Sequence, residues 1–146
     1  MADSTVPLAR QRVRETLDGS FDGVDFDSDG NASFRYGSAH VFVHVREFDE
    51  DSAVVVLESP VVKGATASPE LYEYVATQAA PHEFGHLIVA PNDDGKTASI
   101  TFTHSLLGDY LDDMELRVAA VAVAFTADEL DDQLAERFGG TVHHTD

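Results

Sequence analysis

Alternation of apolar and polar residues marks several short stretches of the chain and predicts an antiparallel sheet. In residues 40–48, valines at every second position alternate with polar or aromatic residues, which is typical of a half-buried strand. Comparable alternation predicts strands at residues 32–36 and 96–102, and apolar runs predict strands at 53–57 and 84–90. The run at 53–57 is continuously apolar, so we expect this strand to be central and covered on both faces. Most links between these strands are short and rich in turn residues, so we expect antiparallel hairpins.

Apolar residues at helical spacing predict two helices in the first half of the chain. In residues 5–18, Thr5 is suited to cap the helix and Pro7 to lie in its first turn. The inward face would carry apolar side chains of that segment, namely Val6, Leu8 or Ala9, Val13 and Leu17. Ser68 followed by proline and glutamate predicts the start of the second helix.

Residues 105–138 predict a long third helix, which Gly139 and the glycine after it would end. One helical face carries the larger apolar side chains, namely Leu111, Met114, Val118, Val121, Ala122 and Phe125. Residues 118–124 are apolar nearly all round, so we expect the sheet to cover one side and a second subunit to cover another. A T-x-x-E capping box at Thr126 predicts a kink or a restart there.

The predicted order of elements is α-β-β-β-α-β-β-α. This order defines an α+β fold with a five-stranded antiparallel sheet backed by helices. At 146 residues, the chain is expected to form a single domain over residues 1–146, with a folded core of about residues 5–140.

Negative charge dominates the composition and changes the expected partners. The chain has 27 acidic residues and 9 basic ones, for a formal net charge of −18, and Lys63 and Lys96 are its lysines. The acids are spread along the sequence, which is typical of proteins from a salt-saturated, halophilic cytoplasm where salt screens repulsion. Nucleic-acid binding needs a basic surface, so this class of partner is not expected.

The sequence also predicts a cytoplasmic protein with no membrane partner. Apolar runs fall short of the 18 or so residues of a membrane span, and the first residues lack the basic-then-apolar order of a signal peptide. With zero cysteine, disulfides and thiolate sites are ruled out.

Residues 82–86 (HEFGH) match the H-E-x-x-H pattern of zinc peptidases. That chemistry needs His82 and His86 one turn apart on a helix, with Glu83 polarising a bound water. Pro81 and Pro91 would confine such a helix to about two turns, and the residues after His86 favour a strand. We therefore expect a loop that leads into a strand, and a metal-dependent hydrolase using His82, Glu83 and His86 is the alternative.

A second motif, at residues 25–30, matches the opening of a calcium-binding loop. Asp25, Asp27 and Asp29 alternate before Gly30, as the D-x-D-x-D-G pattern requires. The position that should hold a bidentate glutamate is Tyr36, so we expect a solvated turn. A calcium- or small-ligand-binding module remains an alternative.

Four histidines are also candidate metal ligands, because imidazole suits zinc, copper and nickel. His40 and His44 share one strand face, and His86 and His104 fall on predicted neighbouring strands. We expect these four to be exposed or singly hydrogen-bonded, and the pair at residues 143–144 to be incidental. The predicted set of catalytic, cofactor-binding and metal-binding residues is therefore empty, and no cofactor is expected.

The order and composition of the elements resemble type III secretion chaperones and the related YbjN-like proteins, over residues 5–140. The segments that carry the resemblance are the close of the third strand, the helix from Ser68, a phenylalanine–glycine step into a strand, and the C-terminal helix: SPVVKG, SPELYEYV, FGHLIV and ADELDDQLAERFGG. The resemblance implies an antiparallel sheet backed by helices, frequent dimerisation and surfaces that hold peptides. It implies no enzymatic activity.

The resemblance and the charge together predict a non-enzymatic chaperone-like or regulatory protein that binds a protein or peptide partner as a homodimer. The expected dimer face is the outer side of the helix over residues 108–125, or a sheet face bearing Phe42.

Overall fold

A computed structural model describes residues 2–78 and 82–142, with side chains from residues 5–77 and 82–142. Within these residues the strands are β1 (Asp25–Phe26), β2 (Ala32–Tyr36), β3 (Ala39–Asp49), β4 (Ser52–Thr66), β5 (His86–Pro91), β6 (Thr97–Leu107) and β7 (Thr141–Val142). The helices are α1 (Ala2–Asp18), α2 (Pro69–Glu73) and α3 (Asp113–Phe138), with a π-helical turn at Tyr74–Gln78.

The strands form an antiparallel sheet in the order β1-β2-β3-β4-β6-β5, and β7 pairs with β4. The predicted class, α+β with an antiparallel sheet backed by helices, is confirmed. The five predicted strands are the long ones. The count of five was too low because β1 and β7, each of two residues, were not predicted. So short a strand leaves no alternation pattern to detect.

The central strands are longer than the sequence predicted. β4 continues past residue 57 to Thr66, so the SPVVKG segment lies within the strand, and β6 continues past residue 102 to Leu107. The pairing of β4 with β6 shifts register between Pro60 and Val62 and again before Ala65. Proline cannot donate a ladder hydrogen bond, so the strand passes it with an irregularity instead of ending.

The core lies between one face of the sheet and the helices α1 and α3. The valines at alternate positions of β3 point into it, as the period of two predicts. Its largest fully buried side chains come from both layers and include Leu17, Phe34, Leu57, Ile100, Phe102, Leu116 and Leu134.

Helix α1 begins earlier than predicted, at Ala2. Thr5 and Pro7 therefore lie inside the helix, and their predicted roles as cap and first-turn proline were wrong. The inward face carries Ala9 rather than Leu8, which is exposed.

Helix α3 begins at Asp113, so its predicted start at residue 105 was wrong: residues 105–107 continue β6. Both ends of the helix are capped. The Glu115 N–H donates to the Asp112 side chain at 2.8 Å, and Gly139 follows the last turn with a φ of 79°. The helix runs unbroken past Thr126, so the predicted kink or restart was wrong. The strand β7 lies beyond the predicted limit of the core at residue 140. Residues 143–144 and Pro81 lie outside the described residues.

A polar contact anchors the turn between β2 and β3 to α3. The backbone N–H and the hydroxyl of Ser38 both donate to Asp128 Oδ1, at 2.8 and 2.7 Å, and these hydrogen bonds lower the pKa of that carboxyl. The Ser38 hydroxyl also contacts the carboxylate of Asp131, which is 2% exposed. The contact holds α3 in place over the sheet.

Candidate partner-binding surface

An apolar groove with a volume of about 580 Å³ opens where β6 ends and α3 begins. We call the following apolar side chains the groove: Phe84, Leu106, Leu107, Tyr110, Met114 and Val118. Two parts of the sequence supply them: the loop before β5, and a continuous segment that runs from the end of β6 through the link into the first turns of α3.

Several side chains of the groove are largely exposed to solvent and are not packed into the core. Tyr110 is 83% exposed, Met114 64% and Leu107 51%. Single exposed apolar residues are ordinary on a protein surface, but a contiguous set in a concavity is typical of a site that binds another molecule.

The apolar surface continues along α3 beyond the groove. Val121, Ala122 and Phe125 line a second, shallower depression with Val118, which also belongs to the groove. We call these four residues the α3 stripe. The positions 114, 118, 121 and 125 follow helical spacing and are exposed together. Most of the apolar side chains predicted to share one helical face therefore form the outer face of α3, but Leu111 lies before the helix and is buried, so its inclusion was wrong.

The buried face of α3 consists largely of small residues, which let the helix approach the sheet closely. It includes Leu116, Ala119, Ala120, Val123, Ala124 and Ala127. The sequence thus predicted apolar residues all round this segment correctly, and the sheet covers the face with the smaller side chains.

The H-E-x-x-H residues form a loop that enters β5, as predicted. His86 is the first residue of β5 and pairs with Thr103, whereas residues 82–85 are irregular. The His82 ring packs edge-on against Phe102, with 5.2 Å between ring centroids. These residues therefore form a loop–strand junction with one imidazole packed against the core, in place of a helix with two imidazoles on one face.

This junction also positions one wall of the groove. The Phe84 ring packs edge-on against His104, with centroids 5.8 Å apart. Gly85 has a φ of 107°, and a Cβ atom there would lie 2.5 Å from the Phe102 ring. Burial, and then the neighbouring His86, lower the pKa of His104 below its ordinary value. Burial beneath Phe84 therefore favours the neutral form of His104.

The three aspartates of the calcium-like motif do not converge. Asp27 Oδ1 accepts from the backbone N–H groups of Asp29 and Asn31, at 2.9 Å each, and the pKa of Asp27 is lowered mainly by the bonds from Asn31. Asp25 lies in β1. The Asp27 carboxylate therefore shapes a tight turn, which is the arrangement expected of a solvated loop.

The four candidate histidines do not form one cluster, although His86 lies near His104. The His40 ring packs at a tilt against Phe42 with ring centroids 4.3 Å apart, and His44 Nδ1 lies 3.8 Å from a Glu58 carboxylate oxygen. Across the residues that the structure describes, no group of three His, Asp or Glu side chains is placed to hold a metal ion. Among the described helices, none has the length and apolar character to cross a bilayer.

Sequence reasoning missed most of the groove. Phe84, Leu107 and Tyr110 belong to no periodic pattern, because they lie in loops or at a strand end. Only tertiary structure brings them next to Met114 and Val118. The one signal present in the sequence was the row of larger apolar residues along the third helix.

Comparison with known proteins assigns this chain to a class, the peptide-binding chaperones of the type III secretion and YbjN kind. The family model described as "T3SS (YopN, CesT) and YbjN peptide-binding chaperone 1" matches residues 8–146. The chain belongs to this family, TY-Chap1. The predicted resemblance is confirmed.

A solved structure supports the same fold. A chain in the crystal structure of the ExsC–ExsE complex superposes with a TM-score of 0.59 at 16% sequence identity. The match covers 89% of this chain and 95% of that chain. No curated protein matches the sequence.

Proposed function

We propose that the chain is a single-domain, non-enzymatic, cytoplasmic chaperone-like protein that binds a segment of a protein or peptide partner in the groove. The observation that carries the proposal is the groove itself, a concavity lined by exposed apolar side chains at the edge of the helix layer. Its volume lies within the range of about 300–1,000 Å³ that ligand sites commonly have. Apolar side chains of a bound segment would replace water there, at roughly 25 cal/mol per Å² buried.

The comparisons support binding of a polypeptide over binding of a small molecule. The family model describes peptide-binding chaperones, and the structural relative was crystallised as a complex of ExsC with ExsE. An open groove continuous with an apolar helix face also suits an extended chain better than a compact ligand.

The proposal also includes a homodimer that pairs through the α3 stripe. The stripe supplies an apolar centre on a regular helix, and interfaces with such a centre commonly bury about 800 Å² on each partner. Because the stripe shares Val118 with the groove, a paired copy would place its own groove next to the first.

A pull-down from native lysate at molar salt tests partner binding. The wild-type chain should recover a protein in stoichiometric amount, identified by mass spectrometry, and the double variant Tyr110→Ser/Met114→Ser should lose it. Phe48→Ser is the matched control, because Phe48 is 65% exposed but lies outside the groove. Equal recovery by all three chains would contradict binding in the groove.

Sedimentation at molar salt tests the homodimer separately. The wild-type chain should sediment as a dimer, and Val121→Asp/Phe125→Asp as a folded monomer, because the interface would then bury two unpaired charges. Phe48→Asp should leave the dimer intact. A wild-type monomer, or a dimer that survives the double substitution, would refute pairing through the α3 stripe.

A further inference from the structure

We propose that the partner segment which fills the groove is cationic as well as apolar, with Lys or Arg residues placed beside its apolar side chains. This inference rests on the proposed function and specifies the chemistry of the partner. It is carried by the two charged residues that line the groove, which are both acidic.

Two carboxylates, Asp112 and Glu115, lie on the rim of the groove among its lining residues. Both side chains are exposed, and neither is in an ion pair with another described residue. Asp112 accepts the cap hydrogen bond from the Glu115 N–H, which fixes the position of its carboxylate at the mouth of the groove. No basic residue lines the groove.

The surroundings reinforce this negative charge. Asp113, also exposed, accepts a hydrogen bond from the Thr16 hydroxyl at 2.5 Å and adds a third carboxyl group near the start of α3. Arg117 is the base nearest in sequence to the rim acids. It lines the neighbouring depression, and its Nε donates to Ser20 Oγ at 3.1 Å. Arg12 donates to the backbone oxygen of Leu111 at 3.3 Å and does not line the groove. An acidic partner in the groove would meet like charge on the rim, whereas a cationic partner could form ion pairs with the rim carboxylates.

Tyr110 gives the groove a second means of holding a cation. Its ring is 83% exposed and lies next to the acidic rim. The face of a tyrosine ring attracts Lys ammonium and Arg guanidinium groups. The chain already uses such contacts internally, because the Arg137 guanidinium lies 4.7 Å from the centroid of the Tyr74 ring. The groove therefore combines an apolar floor with two kinds of cation acceptor at its mouth.

A second copy of this chain would fit the groove less well than a cationic segment. The chain has a formal net charge of −18, so a second copy would bring further acid to an acidic rim. This difference in charge separates the groove from the α3 stripe, whose lining has no acid and includes Arg117.

Three synthetic peptides of twelve residues test the proposal. All carry Leu and Phe at the same positions, and the residues between are Lys in the first, Ser in the second and Glu in the third. Fluorescence anisotropy measures their dissociation constants at the lowest salt concentration at which the chain stays folded. We expect the Lys peptide to bind about tenfold more tightly than the Ser peptide, and the Glu peptide least, with differences that shrink as salt is added.

Charge-neutralising variants locate the effect. Asp112→Asn/Glu115→Gln should bring the Lys peptide to within about twofold of the Ser peptide, and Asn preserves the helix cap. Glu129→Gln/Glu136→Gln is the matched control, because it removes the same charge from exposed positions of α3. Glu129 lies about 21 Å along the helix from Glu115 at 1.5 Å per residue. The control should keep the full preference for Lys.

The outcomes separate this inference from the proposed function. Equal binding of the Lys and Ser peptides, both lost in Tyr110→Ser/Met114→Ser, would overturn the cationic partner and leave peptide binding intact. An unchanged Lys preference in Asp112→Asn/Glu115→Gln would also overturn it. Failure of all three peptides to bind would overturn both proposals. Binding of the Lys peptide only to Val121→Asp/Phe125→Asp would show that a second copy covers the groove, and would overturn the inference.

Discussion

Gly85 is the single residue on which the wall of the groove depends most. Its φ of 107° is a conformation that other residues rarely adopt, and the ring of Phe102 leaves no room for a side chain. The glycine lets the chain turn sharply into β5 and sets Phe84 against His104. In a metal-binding helix this position would need no glycine, so the residue favours the loop–strand junction on physical grounds.

We expect Gly85→Ala to lower the free energy of unfolding by about 2–4 kcal/mol, from backbone strain and overpacking against Phe102. Gly95→Ala is the control, because Gly95 has a φ of 69° and a Cβ atom there would meet nothing within 4 Å. Its cost should be about 1 kcal/mol. Urea unfolding at fixed salt measures both, and equal costs would show that contact with Phe102 has no effect.

His104 should make the stability of the protein depend on pH. Burial lowers its pKa in the folded chain below the ordinary value of 6.5, so the unfolded chain binds this proton more readily. The contribution of His104 to stability is therefore fully present above pH 6.5 and is lost as the pH falls below it. Urea unfolding measures the free energy of unfolding of His104→Gln and of the wild type at pH 8 and pH 5. This free energy should fall less between pH 8 and pH 5 in the variant than in the wild type. An equal or larger loss would contradict this assignment.

At the scale of elements, α3 both backs the sheet and carries the surface. Over residues 114–127 its alanine-rich face lies on the strands, and Met114, Val118, Val121 and Phe125 remain outside. An apolar pattern all round a helix indicates that two sides are covered, but it does not say which side meets the sheet. The choice follows from close packing, because alanines allow a nearer approach than phenylalanine or methionine does.

The start of α3 should be sensitive to its cap. Asp112→Ala removes the acceptor for the Glu115 N–H, so we expect a loss of about 1 kcal/mol in the free energy of unfolding. Asp112→Asn should cost only a few tenths, because asparagine caps nearly as well. Thermal unfolding of the two variants beside the wild type measures the difference. A similar cost for both would attribute the effect to charge and not to the cap.

The strands show how far sequence patterns reach. Each long strand was predicted, because either period-two alternation or a continuous apolar run marks its middle, and turn residues mark most of the links. The sequence did not predict the true ends of β4 and β6. Pro60 and the polar residues near these ends are unfavourable in a strand by themselves, but pairing between two long strands accommodates them. Tertiary pairing of this kind overrides local preference and is not visible in a single sequence.

At the scale of the whole molecule, the net charge of −18 sets the conditions under which the fold is stable. Like charges on a compact surface repel one another, and salt shortens the range of that repulsion to about 3 Å at 1 M. We propose that the protein is adapted to high salt. Circular dichroism should show loss of structure between molar salt and dilute buffer. Sucrose at equal osmolality should not restore it, and a spectrum that stays unchanged in dilute buffer would refute the proposal.

The groove forms only when the whole molecule is folded. Its residues come from positions 84 to 118, and no local pattern relates Phe84 to Tyr110 or Met114. The family resemblance predicted that some surface would hold a peptide, while the fold was needed to say which one. The H-E-x-x-H pattern, the most recognisable motif in the sequence, contributes through the residue at its centre, Phe84, and through the glycine that follows it.

Photo-crosslinking from the groove tests partner binding most directly. p-Benzoylphenylalanine replaces Tyr110 in one chain and Phe48 in a control, since both aromatic side chains are largely exposed and only Tyr110 lines the groove. Each chain is irradiated in native extract at molar salt. We expect a covalent adduct with one partner polypeptide from position 110, suppressed by an excess of the Lys peptide, and none from position 48. Absence of an adduct at position 110, or the same adduct at both positions, would contradict a partner-binding groove.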